Sequence, residues 1–192
     1  MTSRALIILH PGFEEIEAVT PIDLLSRAGV DVVQASTEDE LLVVGRSGIT
    51  LRATHLLKNS VNDIFDAVIV PGGPGIAKLR NNPTLCNLLK RHSQHSSLIA
   101  CICAAPLLLL DADLIEGISY TAHPSTAQEL PRASAAAIVI DGNYLTSSGA
   151  GTATEFGLAL VQRLRGADCA IEIAQSICWQ HAPTHPTDPN LE

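Results

Sequence analysis

The sequence contains no apolar run approaching the ~18 residues that a membrane-spanning helix requires. Its start leads directly into the strand-like run Ala5–Leu9, which is too short and too β-branched for a secretory signal and is not followed by a small-residue cleavage site. Charged residues make up only 17% of the chain, a low fraction that indicates a well-buried sheet and is compatible with a subunit interface. We therefore expect a cytoplasmic protein with no membrane partner.

Positive charge is scarce, since 12 Lys and Arg stand against 20 Asp and Glu, for a net charge of -8. This balance excludes a general attraction to nucleic acids or anionic membranes, and we expect no specific nucleic-acid binding. The cysteines are odd in number, which argues against a disulfide framework. Cys101 and Cys103 are separated by one residue rather than by the two of a zinc or redox pair, and no second close pair exists, so we expect no metal.

Strand-like and helix-like segments alternate along the 192 residues, 46% of which are hydrophobic. This pattern predicts an α/β fold with a mostly parallel central sheet covered on both faces, and one domain spanning residues 1–192 with a loose tail from about 182. The predicted strands are Arg4–Leu9, Val30–Ala35, Asp66–Val70, Ser97–Ile102 and Ile118–Ala122, with short strands and a turn in Leu41–Leu51 and a hairpin from Ile138–Ile140 to Tyr144–Thr146. The predicted helices are Glu14–Arg27, Pro83–His92, Ala104–Asp111, Thr152–Leu164 and Ala167–Trp179.

Three of the predicted strands run directly into segments that carry chemistry. These are Pro71-Gly72-Gly73, Cys103-Ala104-Ala105-Pro106 and His123-Pro124. Because parallel sheets bind ligands at the carboxyl ends of their strands, we expect the three segments to surround one crevice.

Cys103 is the candidate nucleophile. It lies between a strand and a helix predicted to start near Ala104, the geometry of a nucleophile elbow, and the N–H groups of that helix end would lower the pKa of the thiol. Cys101 lies two residues earlier, on the same face of the strand but deeper, and is assigned to the core. Position alone leaves open that Cys103 is a buried and inert cysteine as well.

Glu17 is the candidate proton carrier. At helical spacing it shares an apolar stripe with Pro21, Leu24 and Ala28, a face that should pack inward. A carboxyl group on a buried face has a partner or a raised pKa, so a protonated Glu17 could donate to a thiolate.

The remaining site candidates are His123 and three backbone donors. His123 ends a predicted strand and suits a general acid or base, although a hydrogen-bonded loop histidine fits the same position. Gly72 and Gly73 would bring backbone N–H groups close to a ligand and, with the Ala104 N–H, form an oxyanion hole. An ordinary tight turn is the alternative, and no Gly-Lys-Ser/Thr follows that would indicate phosphate binding.

Taken together, these segments resemble the ThiJ/PfpI superfamily, and within it the DJ-one subgroup of parkinsonism-associated deglycases, from Arg4 to about Cys178. The resemblance rests on five motifs in this order: Gly12-Phe13-Glu14-Glu15-Ile16-Glu17, Val70-Pro71-Gly72-Gly73, Ala100-Cys101-Ile102-Cys103-Ala104-Ala105-Pro106, Thr121-Ala122-His123-Pro124 and Leu145-Thr146-Ser147-Ser148-Gly149-Ala150-Gly151-Thr152.

The resemblance implies a flavodoxin-like three-layer sandwich that forms a homodimer partly through the first helix and needs no cofactor. Its nucleophilic and oxidation-sensing cysteine corresponds to Cys103, its protonated glutamate to Glu17 and its histidine to His123. Its backbone donors correspond to Gly73 and Ala104. Some relatives carry an arginine at about Ser47, which is next to Arg46 here.

Three functions follow as hypotheses. The first is a cofactor-free, cysteine-dependent glyoxalase or deglycase that acts on methylglyoxal-type dicarbonyls or their early adducts, in defence against carbonyl and oxidative stress. The second is a non-enzymatic peroxide sensor or redox-regulated chaperone that uses the same cysteine. The third, a cysteine peptidase, ranks last because Ala104 stands where those relatives carry a histidine.

Overall fold

A computed structural model of the chain describes residues 2–180, and the predicted loose tail from about 182 lies outside these residues. The strands are β1 Arg4–Leu9, β2 Asp31–Ser36, β3 Leu42–Val44, β4 Thr50–Arg52, β5 His55–Leu56, β6 Ala67–Val70, β7 Leu98–Ile102, β8 Ile138–Asp141 and β9 Tyr144–Ser147. The helices are α1 Glu15–Arg27, α2 Leu57–Ser60, α3 Ile76–Leu79, α4 Pro83–Gln94, α5 Pro106–Asp111, α6 Ala153–Arg165 and α7 Ala167–Ser176. None of the described helices is long and apolar enough to cross a membrane.

Seven strands form one sheet in the order β5-β2-β1-β6-β7-β9-β8, in which only the β8–β9 pair is antiparallel. The short strands β3 and β4 form a separate antiparallel hairpin. Helices α1, α6 and α7 pack on one face of the sheet, and α2, α4 and α5 pack on the other. The predicted flavodoxin-like three-layer sandwich with a mostly parallel sheet is confirmed.

Strand β1 explains why the central strands are apolar without interruption. Ala5, Ile7 and Leu9 enter the core on the α1 side, while Leu6 and Ile8 enter the core on the α4 side. Successive side chains of a strand point to opposite faces, so a strand covered on both faces needs apolar residues at every position.

Helix α1 carries the predicted apolar stripe. It is capped by Glu14, whose carboxylate accepts the Glu17 N–H at 2.9 Å, and it continues through Pro21. Pro21 and Leu24 are buried with Glu17, so the stripe faces the core and brings a carboxyl group into it. The prediction from helical spacing is confirmed.

The predicted strand Ile118–Ala122 does not form, and this is a correction. Thr121 makes only an isolated bridge with Ser134. Strand β9 already pairs with β7 on one side and β8 on the other, so the segment cannot pair with β9. Thr121 instead donates its side-chain hydroxyl to the Ser134 and Ala136 carbonyl oxygens at 2.9 and 2.8 Å.

Three helix boundaries differ from the prediction by two residues or more, and the first is the end of α4, which lies at Gln94 rather than at His92. Helix α5 begins at Pro106 rather than Ala104, because proline at the first helical turn sets the start. Helix α7 ends at Ser176, before the predicted Trp179.

Candidate active site

Cys103 follows the central strand β7 in a strained turn. Its φ of +64° lies in the left-handed region that residues with a side chain rarely adopt. The turn is held on both sides, since the Cys103 N–H donates to the Ser147 carbonyl oxygen and the His123 N–H donates to the Cys103 carbonyl oxygen, each at 2.8 Å. The backbone around the sulfur is therefore fixed by three separate segments of the chain.

The positive φ reverses the direction of the Cys103 side chain. Cys101 is fully buried in the core on the α4 side of the sheet, whereas Cys103 packs against the core on the α1 side. The prediction that both cysteines share a face is wrong, because strand alternation ends at Ile102. This reversal aims the sulfur at α1 and its buried carboxyl group.

Glu17 meets the sulfur from α1. Its side chain is hydrogen-bonded with Cys103, and its Oε2 accepts the Gly72 N–H at 2.8 Å. Glu17 is only 1% exposed. Burial raises the pKa of Glu17 to about 7, although the Gly72 N–H and Cys103 pull it downwards. The carboxyl group therefore holds its proton far more readily than an exposed glutamate does.

Gly72 is required at this point for steric reasons. A β-carbon there would lie 2.7 Å from the Cys103 β-carbon and 2.8 Å from Glu17 Oε2, closer than real side-chain contacts allow. The predicted oxyanion role of Gly72 is corrected, because its N–H is already donated to Glu17. Gly72 positions the carboxyl group beside the sulfur.

The backbone N–H groups of Gly73 and Ala104 face the sulfur of Cys103. Both hydrogen bonds pull the pKa of the thiol downwards. Burial acts in the opposite direction and is the larger effect; together with the neighbouring Glu17 carboxylate it raises the pKa of Cys103 to about 12. The predicted lowering of the thiol pKa by backbone N–H groups is present, but burial and Glu17 outweigh it, so the net shift is upwards. The helix contributes little, because α5 starts three residues further on and has only 6 residues.

His123 lies at the same cavity with its side chain exposed. Its Nδ1 lies 2.9 Å from the Ser125 hydroxyl and accepts the Ser125 N–H at 3.2 Å. No hydrogen bond joins the ring to the Cys103 side chain within residues 2–180. His123 is thus placed to meet a ligand in the cavity rather than to hold the sulfur directly.

The cavity above Cys103 has a volume of about 400 Å³. Besides the predicted residues, three charged side chains that sequence reasoning did not select line it, namely Arg46, Arg80 and Glu129. Arg46 had a signal in the sequence, since the resemblance implies an arginine in some relatives at about the next position. The turn that bears it is anchored by the Ser47 N–H, which donates to the Glu15 carboxylate at 2.7 Å.

The arrangement can perform nucleophilic chemistry with internal proton transfer. The Cys103 sulfur and its two backbone donors line one cavity, and Glu17, a carboxyl group that exchanges a proton near neutral pH, contacts the sulfur without lining the cavity itself. No group of three His, Cys, Asp or Glu side chains in the described part of the chain is close enough together to hold a metal ion.

These features define an α/β sandwich protein with a cysteine in a strained turn at the carboxyl end of a central parallel strand. The sequence model of the DJ-1/PfpI family matches residues 3–163. The chain belongs to the DJ-1/PfpI family.

Individual relatives agree with this assignment. "Protein DJ-1 homolog A" of Arabidopsis thaliana is 36% identical over 188 residues, which cover 95% of this chain and 48% of the plant protein. The chain thus spans about half the length of that relative. "Glutathione-independent glyoxalase DJR-1.2" of Caenorhabditis elegans is 34% identical over 91% of this chain and 95% of its own length.

A relative of known structure has the same fold as this chain. The structure titled "Toxoplasma gondii DJ-1, oxidized" superposes with a TM-score of 0.89 and 32% identity, over 94% of this chain and 100% of that chain.

Proposed function

We propose that this protein is a cofactor-free, cysteine-dependent glyoxalase or deglycase that acts on methylglyoxal-type dicarbonyls or their early adducts, with a role in carbonyl and oxidative stress defence. The observation that carries the proposal is the contact of the Cys103 sulfur with two backbone donors and with Glu17, whose pKa burial raises to about 7. The similarity to a C. elegans protein named as a glyoxalase supports the same reaction class.

The reaction would begin at the aldehyde carbon. The sulfur attacks this carbon, a C–S bond forms, and the carbonyl electron pair moves to oxygen, where the Gly73 and Ala104 N–H groups receive the negative charge. Glu17 donates a proton to that oxygen and leaves a neutral hemithioacetal.

The ionised Glu17 then takes the proton from the former aldehyde carbon, which gives an enediolate. The ketone carbon is reprotonated, and the hydroxyl proton on the former aldehyde oxygen passes to the former ketone oxygen, with His123 exchanging protons on the cavity side. This internal redox step yields a 2-hydroxy thioester, and water releases a 2-hydroxy acid and restores the thiol. Early adducts would enter the same sequence after loss of their amine or thiol.

The proton on Glu17 decides whether the sulfur can react. Negative charges on both Glu17 and Cys103 would be unfavourable because the two groups are adjacent. The two groups therefore titrate as one unit, which loses one proton near neutral pH and the second only at high pH. In the singly ionised form the proton passes from sulfur to Glu17 as the carbonyl carbon approaches. A free thiolate with a low pKa is then unnecessary.

The test is methylglyoxal turnover by the Cys103→Ser protein. We expect loss of nearly all lactate formation, because a serine hydroxyl is a far weaker nucleophile than the sulfur. Cys86→Ser, a change of the same kind outside the cavity lining, is the matched control and should keep normal activity. Normal turnover by the Cys103→Ser protein would refute the proposal.

The second candidate function is a peroxide sensor or redox-regulated chaperone. The Gly73 and Ala104 N–H groups that face the sulfur would equally stabilise the oxygens of a sulfinate, which forms when the thiol reduces two molecules of peroxide to water. A related Toxoplasma protein has been solved in a form titled oxidized. Intact mass after mild peroxide tests this function, since a protein without two added oxygens at Cys103 cannot be such a sensor.

A homodimer is part of the proposal. Ile16 and Val19 are exposed on one side of α1, and Val44 and Ile49 are exposed on the β3–β4 hairpin that contacts the start of this helix. Apolar side chains clustered in this way suit a second copy of the chain, which would cover α1 as the family resemblance implies.

A further inference from the structure

Arg80 is held rigidly at the cavity wall. Its Nε and Nη2 donate to the two carboxylate oxygens of Asp111 at 2.7 and 2.8 Å. The Asp111 side chain is only 3% exposed and also accepts the Asn81 N–H at 2.8 Å. A bidentate contact with a buried and hydrogen-bonded carboxylate fixes the plane of the guanidinium. Arg80 therefore presents its remaining nitrogen, Nη1, in a constant position.

Glu129 takes up this remaining nitrogen. Its two carboxylate oxygens accept from Arg80 Nη1 at 2.8 and 3.1 Å, and its side chain is 50% exposed. Both Glu129 and Arg80 line the cavity that contains Cys103, whereas Asp111 does not. In the cluster formed by Arg80, Asp111 and Glu129, it is therefore Glu129 whose carboxylate faces a ligand in the cavity.

The charges of the cluster do not cancel. Asp111 alone neutralises Arg80, so Glu129 adds one negative charge that faces the cavity. It also occupies the arginine nitrogen that would otherwise bind the carboxylate of a ligand. Arg46 supplies positive charge elsewhere in the cavity lining. At Arg80, by contrast, Asp111 and Glu129 already accept from all three guanidinium nitrogens, so no pair of them is available to a bound carboxylate.

We propose that Glu129 is a specificity-determining residue that makes the cavity select uncharged carbonyl compounds, such as 2-oxoaldehydes, over those that carry a carboxylate, such as 2-oxo acids. This inference rests on the proposed function only in taking Cys103 as the reacting atom. Removal of the Glu129 charge leaves Arg80 balanced by Asp111, so that this part of the cavity wall no longer repels a carboxylate.

The experiment compares alkylation of Cys103 by iodoacetate and by iodoacetamide, two reagents of similar size that differ in charge. We measure both rates at one pH, site by site by mass spectrometry. In Glu129→Gln the ratio of the iodoacetate rate to the iodoacetamide rate should rise roughly fivefold, the effect of one charge across a cavity of this size. Taking the ratio cancels any change in the intrinsic reactivity of the sulfur.

Glu116→Gln is the matched control. It removes the same charge from a side chain that is 84% exposed, pairs with Arg132 and does not line the cavity. This variant should keep the wild-type ratio. An unchanged ratio in Glu129→Gln, or an equal rise in both variants, would overturn the proposal.

A binding measurement keeps the inference independent of sulfur chemistry. In the Cys103→Ser background, the dissociation constants of pyruvate and of its uncharged analogue pyruvamide are measured by ligand-observed NMR. Glu129→Gln should lower the dissociation constant of pyruvate relative to that of pyruvamide by a similar factor. An equal change in both dissociation constants would refute the specificity role. Failure of methylglyoxal turnover would instead count against the proposed function and leave this comparison intact.

Discussion

The buried carboxyl group of Glu17 should make the stability of this protein fall as the pH rises through neutrality. Its pKa in the folded protein is about 7, raised by burial from an ordinary value of 4.5. The folded state therefore holds the proton more tightly than the unfolded chain does. The stabilising contribution is complete below pH 4.5 and is lost as the pH rises through about 7.

The magnitude follows from the two pKa values. The difference between 4.5 and about 7 corresponds to a loss of about 3 kcal/mol in the free energy of unfolding. In Glu17→Gln the amide oxygen can still accept the Gly72 N–H, but the side chain no longer titrates. The free energy of unfolding of this variant, minus that of the wild type, should increase by about 3 kcal/mol between about pH 4 and about pH 8.

Urea denaturation at several pH values and one fixed protein concentration measures this difference. Cys103 does not interfere, because its pKa is raised by burial and by Glu17 from 9.0 to about 12, above the range of the experiment. Glu116→Gln, which removes a charge at the surface, controls for the change in net charge. If the free energies of unfolding of Glu17→Gln and of the wild type differed by a constant amount across this pH range, the argument that burial raises the pKa of Glu17 would be refuted.

Two further predictions concern packing and assembly. Gly72→Ala should abolish Cys103-dependent turnover and lower the melting temperature, because the new β-carbon would lie 2.7 Å from the β-carbon of Cys103. Gly151→Ala is the control and should change neither property, because no atom lies within 4 Å of its β-carbon and its φ is ordinary. In sedimentation experiments, Val19→Glu should shift the protein from dimer to monomer, whereas Ile171→Glu, an equally exposed apolar position on α7, should not. A dimeric Val19→Glu protein would show that α1 does not form the interface.

The central layers of the fold could be predicted from sequence because their signals are local. A strand buried on both faces must be apolar at every position, as in Ala5–Leu9, and a helix buried on one face must repeat its apolar residues at helical spacing. The same spacing placed Glu17 on the buried stripe of α1. The Ile118–Ala122 prediction failed because local sequence indicates that a segment is buried and not which strand, if any, it pairs with.

The sequence by itself determined that helices cover both faces of the sheet, since strands and helices alternate along the chain. It also determined the buried face that carries Glu17 and the strand end that carries Cys103, since each of these depends on a pattern within a single element. Only the tertiary structure decided which way the sulfur points, because a positive φ at Cys103 ends the alternation of the strand. It also decided that burial outweighs the backbone donors in setting the pKa of the thiol. The contact of Arg80 with Glu129 joins residues 49 positions apart, and no local pattern in a sequence encodes a contact over such a separation.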